Sequence, residues 1–574
     1  MYLDDDIAMD PNKICDLFVK HFSSVFTPKS SDSSSSCIQA PIVTRTHSET
    51  HNTLSMVNIT LESVRHELKR LKINKGPGPD GIPPIFFRNC CDSLSLPLSI
   101  IYNKSLVSST FPNLWKTAHV VPIPKTSKLD NIKDYRPISI LSCPAKVFES
   151  IICPILTWHL KSLLSVTQHG FQSGKSTLTN LVQYTDYLAK AIDTTKQIDA
   201  IYTDIGKAFD RVDHGILLAK LDHFGIHGDL LNWLSSYLSS RKQKVVICGH
   251  ESSCYSAPSG VPQGSHLGPI LFLAFINDLP NCLTFSKHLM FADDVKIFRI
   301  IENADDSMKL QKDLDNLNNW CKSNKLPLNN SKCKHIKFTK KRHPIETNYN
   351  LDETILEEVD EIKDLGITLD KKLSYTHHFD HITKKASKAM GFVWRNSKQF
   401  NYVTKIILYK TLVRSHLEYC STAWNPFYLC HANRIENIQK RFLHLLSRSI
   451  GKHSELKHYE DKLKFFKLPS LADRRRFADQ VFLFKTINSV NNCPDVLECI
   501  DVAIPRPSFR SSTYNFFSRK KYKSETGKHR TLSRITTHNN LLWSEHRLDL
   551  FGLSLPIFKR KLLEALDLSW LYKK

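Results

Sequence analysis

Asp293 and Asp294 stand side by side in an apolar stretch, Phe291-Ala292-Asp293-Asp294-Val295, well downstream of a third acid in Tyr202-Thr203-Asp204-Ile205. Adjacent carboxylates repel, and hydrophobic surroundings make their ionised forms costly unless cations offset the charge. Three such acids brought together at strand ends would hold two Mg²⁺ ions, with Mn²⁺ a possible substitute. One ion lowers the pKa of an attacking hydroxyl and the other stabilises a leaving pyrophosphate. The backbone carbonyl of Ile205 adds an oxygen ligand. Each acid also has an ordinary alternative. Asp204 alone fits a helix N-cap or turn acid, and Asp293-Asp294 fit a solvated hairpin tip. The combination points to phosphoryl transfer.

Around these acids lie residues suited to a substrate. Phe209 falls on the turn after Asp204, where its ring would wall a sugar pocket and exclude a 2′-hydroxyl, while Asp210 is expected to cap or pair locally. In Ser259-Gly260-Val261-Pro262-Gln263-Gly264-Ser265, Gln263 offers an amide to a nucleotide or template and Gly264 leaves room for close backbone approach. A plain Gly/Pro turn explains that segment equally simply. Arg136, fixed by Pro137, would grip a triphosphate with its fork of donors, and Lys125 would assist, unless either is an ordinary surface cation. Lys332 is a candidate general acid for the pyrophosphate, against the default of a solvated lysine. The run Gln168–Thr177 invites a phosphate-loop reading but fails it. Gly170 and Gly174 enclose only Phe171, Gln172 and Ser173, one residue short of G-x-x-x-x-G-K-[ST], and no apolar strand leads in. It is read instead as a basic, glycine-hinged loop near template or nucleotide.

Apolar spacing places these residues on elements. Helices are expected over Leu61–Leu71 (capped by Asn58 or Thr60), Leu94–Leu106, Ala145–Leu164, His214–Phe224, Leu267–Leu279 and Met308–Asn324, with another beginning in Trp233–Leu238. Strands are expected at Ile198–Tyr202, Gln243–Cys248 and Lys334–Phe338, with His119–Pro122 and Lys125 suggesting a strand pair around a turn at Pro122/Pro124, and Leu289–Phe291 and Val295–Ile300 forming a hairpin around the aspartates. Near the N-terminus an amphipathic segment, Ile14–Phe26, precedes a serine-rich linker, Pro28–Ser36. Beyond about Tyr375 come the helical stretches Phe379–Arg395, Tyr402–Ser415 and Arg434–Ser449, then basic runs such as Arg474-Arg475-Arg476. This end reads as a basic helical appendage.

At 574 residues the chain exceeds one ordinary core, so two to four domains are expected. A net charge of +23 favours a polyanionic partner, nucleic acid before membrane. The longest apolar run, Ile270–Ile276, is far short of the roughly 20 residues of a membrane span. The acidic N-terminus has no signal core, so an intracellular location, nucleus or cytoplasm, is expected. Fifteen cysteines without a C-x2-C pair argue against a zinc ribbon and for reduced thiols.

The order of motifs carries more than any one of them. Gly76–Gly81, Trp115–Lys125, Tyr135–Leu141, Gln168–Thr177, Asp204–Asp210, Ser259–Gly268, Phe291–Asp294, Leu328–Lys332 and Asp364-Leu365-Gly366-Ile367 run as in a reverse transcriptase. From about Leu54 to Tyr375 the chain resembles the polymerases of non-LTR (LINE-like) retrotransposons, particularly the jockey-like group. That resemblance implies an α+β right-hand fold of fingers, palm and thumb with an antiparallel palm sheet, followed by a basic helical C-terminal region. The segments would be a connector (1–53), fingers with an N-terminal extension (54–197), palm (198–374), thumb-like helices (375–450) and a basic C-terminal region (451–574). The reverse transcriptase domain itself would cover about 105–370. It also implies RNA-templated DNA synthesis from dNTPs, with Asp204, Asp293 and Asp294 as metal ligands, Phe209 as steric gate, and a DNA target end as primer. Phe291 stands where many reverse transcriptases have Tyr, and Gly206 is a small departure beside Asp204. The endonuclease and cysteine knuckle of full-length elements are not visible, so the chain is expected to extend an offered primer without cutting its own target. A catalytically inactive, nucleic-acid-binding remnant is the competing expectation.

Overall fold

The computed structural model describes residues 1–27, 53–125, 129–503, 515–518 and 521–571; the serine-rich stretch Pro28–Ser36 lies outside them. Two mixed sheets are built from β1 (Thr117–Pro124), β2 (Tyr135–Ile140), β3 (Gln197–Thr203), β4 (Arg241–Ile247), β5 (His250–Glu251), β6 (Tyr255–Ala257), β7 (Lys287–Phe291), β8 (Asp294–Ile301), β9 (Lys334–Phe338) and β10 (Glu357–Glu358). The first runs β10-β9-β3-β8-β7, and the second β2-β1-β4-β5 with β6 also on β4. The architecture is α+β.

The first sheet is antiparallel except at its edge, where β9 and the two-residue β10 pair in parallel. Ion pairs from Lys334 to Glu357 and from Lys337 to Glu358 hold that edge, which no sequence periodicity announces. The second sheet is also mixed, because β1 pairs antiparallel with β2 and parallel with β4.

Side chains alternate across a strand, so β3, covered on both faces, feeds two cores. Ile201 joins Val295, Ile297 and Met290 in one core, beneath helices Cys143–Leu160, Gly228–Leu238 and Gly268–Ile276. Ile198 and Ala200 face the other way and join Phe298, Ile336 and Phe338. That second core is completed by helix Thr177–Asp193 and by the C-terminal helices, through Phe379, Leu443, Phe482 and Ile535. The C-terminal region therefore shares this core, packed on helix Thr177–Asp193 that covers the sheet, rather than being appended to it. Its arginine run follows suit: Arg474 forks onto Glu418, and buried Arg475 donates to Asn425 at 3.0 Å.

The helix at Leu61–Lys69 starts where expected, with Thr60 accepting from Ser63 N–H at 3.2 Å. No turn falls at Pro122/Pro124, because both prolines lie within β1 where it pairs with β2. Several helices also differ in extent from their sequence reading, two of them in kind. Trp233–Leu238 ends a helix that starts at Gly228, stopped by left-handed Ser240 ahead of β4. The expected Tyr402–Ser415 helix is α-helical only to Leu408, widens to a π turn over Tyr409–Arg414, and resumes at Ser415.

Candidate active site

The acids are placed by one ladder. β8 pairs antiparallel with β3 so that Val295 faces Thr203, and the same register carried one step further sets Asp294 abreast of Asp204. Across such a pair Cα atoms are about 4.5–5.5 Å apart. Asp293 occupies the two-residue turn between β7 and β8, after left-handed Ala292 (φ 54°). The three carboxylates share one locality and feel one another. Burial, opposed in part by Arg136, raises Asp293, and Asp204 raises it further. Although the Asp294 side chain reaches solvent, burial and then Asp293, Asp364 and Asp204 push its carboxyl up to about 6.

Uncompensated negative charge of this kind is relieved by a cation. The donors are all hard oxygens, which suit Mg²⁺ or Mn²⁺. Ile205 lies opposite Leu328 in a bridge formed by Gly206 N–H to Pro327 C=O (3.1 Å) and Asn329 N–H to Asp204 C=O (2.8 Å). Its own carbonyl takes no part in that exchange. Among the described residues, no three His, Cys, Asp or Glu side chains are already closed around a single ion position. Lys332 instead sets its ammonium 3.2 Å from Asp204 Oδ2.

Asp294→Asn is expected to stabilise the fold by removing one of the crowded charges. The gain at about pH 8 should be on the order of 1 kcal/mol, after allowing for solvent screening of this exposed group. A carboxyl raised from 3.8 to about 6 weakens the fold when ionised. The difference is thus full above 6 and vanishes as pH falls to 3.8, where both states bind the proton. Melting curves of variant and wild type near pH 8 and near pH 4 measure it, and a lower melting point for the variant near pH 8 would contradict the crowding.

Beside the acids opens a cleft of roughly 550 Å³, lined by Lys125, Arg136, Asp204, Ile205, Phe209, Asp210, Gln263, Gly264, Asp293 and Lys332 among others. Asp294 lines a second cavity of about 370 Å³ that shares Asp204 and Lys332 with the cleft, together with Tyr202, Lys296, Lys334, Lys363 and Asp364. The ring of Phe209 is stacked on Phe272 (centroids 4.5 Å apart) with the edge of Phe171 at 6.0 Å, so it is fixed in position. Gly260 (φ +84°) lies where a Cβ would meet the Asp210 carbonyl at 2.6 Å, which lets its segment seat directly on the Phe209–Asp210 turn. Val261 N–H to Phe209 C=O (2.8 Å) and Ser259 Oγ to Asp210 C=O (2.8 Å) complete that seat.

Two expectations acquire different content. Gln263 donates its amide to both oxygens of Asp210, at 2.9 and 3.0 Å, so the expected local partner of Asp210 is Gln263. Burial still raises Asp210 to about 6. The room beside Gly264 is filled by the backbone of β2, where a Cβ would stand 2.6 Å from the Ser139 carbonyl. In the Gln168–Thr177 loop, Lys175 is turned onto its own backbone, donating to the carbonyls of Val166 (2.6 Å) and Gln168 (3.0 Å). Such a lysine staples the loop rather than cradling phosphate.

The cleft also has a wall that sequence reasoning did not assign. Helix Pro11–Ser23 buries Cys15, Phe18 and Phe22 against Leu3, Val120, Ile132 and Val245, and Phe22, Val25 and Phe26 then line the cleft. Thr27 N–H donates to Ser259 Oγ at 3.0 Å. His21, driven down to about 4 by burial and neighbouring lysines, is neutral and lies 3.1 Å from Lys207 Nζ. Burial lowers Lys207 to about 8 and, with Arg136 and Lys332, lowers Lys125. Crowded, thinly compensated cations on one wall favour a polyanion.

Comparison with known proteins agrees with this geometry. Residues 123–369 match the family described as "Reverse transcriptase (RNA-dependent DNA polymerase)". The chain is 30% identical over 414 residues to the probable RNA-directed DNA polymerase from transposon BS of Drosophila melanogaster, covering 68% of this chain and 44% of that protein. It is 26% identical over 484 residues to the RNA-directed DNA polymerase from mobile element jockey of the same fly, covering 82% and 52%. With the Pol polyprotein of type-1 retrotransposable element R1 from Bradysia coprophila it shares 28% over 393 residues, 64% of this chain and 37% of that one. The chain thus spans about half, or less, of the length of these relatives. Residues 123–369 form a reverse transcriptase domain, and the chain belongs to the reverse transcriptase family of non-LTR retrotransposons.

Proposed function

We propose that this chain is an active RNA-directed DNA polymerase, extending a primer 3′-hydroxyl with dNTPs along an RNA template. The observation that carries the reading is the strand register that sets Asp204 abreast of Asp294, with Asp293 on the adjoining turn. Asp204, Asp293, Asp294 and the Ile205 carbonyl would hold the divalent ions, which supply charge stabilisation at the transferring phosphoryl group. The chain's own groups do the rest. In-line displacement needs nucleophile and leaving group on opposite sides of the reacting phosphorus. The cleft with Arg136, Lys125 and Lys207 suits the triphosphate, and the second cavity, which shares Asp204 with it, would take the primer end. Phe209, held by Phe272, would stand beside the sugar. Lys332 would deliver a proton to pyrophosphate once released from Asp204.

In this reading the first sheet is the palm, the second sheet belongs to the fingers, and the helices after Tyr375 act as thumb. The basic chain would engage template and primer through phosphate contacts. No described helix is long and apolar enough to cross a membrane. The deciding experiment is primer extension on an RNA template with Mg²⁺, comparing dNTPs with rNTPs. Incorporation of dNTPs is expected; tight duplex binding without extension would leave a nucleic-acid-binding remnant instead.

The N-terminal wall gives a separate prediction. Phe22→Ala should cost its helix about 3 kcal/mol of packing and loosen the cleft wall. A several-fold rise in KM for dNTP is expected, with the main melting transition little moved, because Phe22 packs in its own small core. Steady-state extension against dNTP concentration reads it. An unchanged KM would mean the wall does not contact nucleotide.

A further inference from the structure

The turn that carries Asp293 is held from outside its own hairpin. Ala292 is buried and left-handed (φ 54°), a conformation that costs an L-residue roughly 1 kcal/mol and persists only when neighbours enforce it. The enforcing group is the side chain of Gln168, itself 2% exposed. Its Oε1 accepts from Ala292 N–H at 2.8 Å and its Nε2 donates to Ala292 C=O at 3.1 Å. One planar amide thus closes both backbone groups of a single residue, and this pairing fixes which end of the amide is oxygen. The same Oε1 also accepts from Gly170 N–H at 2.7 Å.

The segment around Gln168 is itself anchored to the hairpin. Met290 N–H donates to Thr167 C=O (3.0 Å), while His169 N–H (2.9 Å) and the Asn180 amide (3.1 Å) donate to Met290 C=O. Gly170 lies so close that a Cβ would come within 2.4 Å of Ala292 N, so the contact has no slack. On the other side His169 Nδ1 meets Thr179 Oγ1 at 2.8 Å, fixing the loop to the helix that follows. None of these groups reaches the cleft's polar face, and none is a metal ligand.

We propose that Gln168 is a positioning residue for the reaction: its amide holds the Ala292 turn so that Asp293 and Asp294 are presented together to the divalent ions. The proposal rests on the polymerase reading above. Groups that orient metal ligands from behind are worth on the order of 10–100-fold in metal affinity or activity. The variants to compare are Gln168→Met, which keeps the bulk and removes the bonds, and Gln168→Asn, which keeps a buried amide but shortens its reach. Each is measured beside wild type and Asp293→Ala for kcat, KM for dNTP, primer–template Kd, melting temperature, the Mg²⁺ midpoint of extension, and hydrogen exchange in the segment around Ala292.

The expected result for both Gln168 variants is kcat lower by about 10–100-fold and a Mg²⁺ midpoint moved upward. Duplex affinity and KM for dNTP should stay near wild type, with exchange raised locally at the turn and the melting temperature lowered by the buried backbone groups left unpaired. Wild-type kcat and Mg²⁺ midpoint in both variants, with Asp293→Ala inactive, would overturn the positioning role. A fall in melting temperature and active fraction, with kcat per active site unchanged, would also overturn it, since that describes a purely structural glutamine. Extension retained by Asp293→Ala would instead remove the metal-ligand role of Asp293 on which the proposal stands, and no extension by wild type would remove the polymerase reading itself.

Discussion

Asp293→Ala is expected to lower primer extension by about 10³-fold or more while leaving primer–template affinity within a few-fold of wild type. The size follows from what the residue does. A divalent ion placed where charge develops is worth several kcal/mol, and each ~1.4 kcal/mol is tenfold in rate. The separation of effects follows from where the residue lies. Asp293 sits on a two-residue turn facing the cleft, and its carboxylate supports no strand pairing. Removing it deletes a half-buried, raised acid and leaves a methyl-sized side chain, so the fold should gain rather than lose stability. Duplex binding depends on phosphate contacts from basic residues elsewhere and falls with salt in both proteins. Single-turnover extension, paired with binding at matched salt, measures both. Parallel loss of binding and extension would mean the turn is structural and the acids are not the metal site.

Phe209→Ala should give the second-largest effect, and on selectivity rather than rate. Its ring is stacked on Phe272 and flanked by Phe171, and the turn beneath it is seated on Gly260. A ring held this firmly cannot swing aside, so a 2′-hydroxyl directed at it would meet an overpacked contact costing about 1–3 kcal/mol. Truncation to Ala should therefore raise rNTP use relative to dNTP by roughly 10- to 100-fold, within the range that one steric contact supplies. Competing dNTP and rNTP incorporation opposite one template base gives the ratio directly. An unchanged ratio with a reduced rate for both would show that the ring supports the cleft without facing the sugar.

Local pattern made the strands and their turn legible, and tertiary pairing made the site. The apolar run Ile198–Tyr202 and the acidic break after Phe291 mark β3 and the β7–β8 hairpin from sequence alone. That Asp204 stands abreast of Asp294 depends on a register between distant strands, which no local pattern encodes. Gln263 reads as a substrate amide because sequence cannot show that Asp210 is within its reach. The amphipathic segment Ile14–Phe26 shows which face is apolar but not that the face closes over β1 and β4. Further on, Phe379, Ile382, Ala386, Met390 and Val393 form a buried stripe at helical spacing, but the many Lys and His between them dominate the composition. The end of the chain therefore reads as a charged surface when it is one side of a core.

That shared core bears on how the molecule can be divided. The family match stops at residue 369, yet helix Thr177–Asp193, whose Tyr184 covers Phe298 and Phe338 of the sheet, is itself packed on helices that follow that boundary, its buried Asp186 accepting from Leu532 N–H at 2.9 Å. A fragment ended there would keep every residue assigned to chemistry and present the outer apolar face of that helix, with its buried carboxylate, to water. It should precipitate or bind chaperones, so the smallest piece of this chain that folds is set by its packing, not by its motifs.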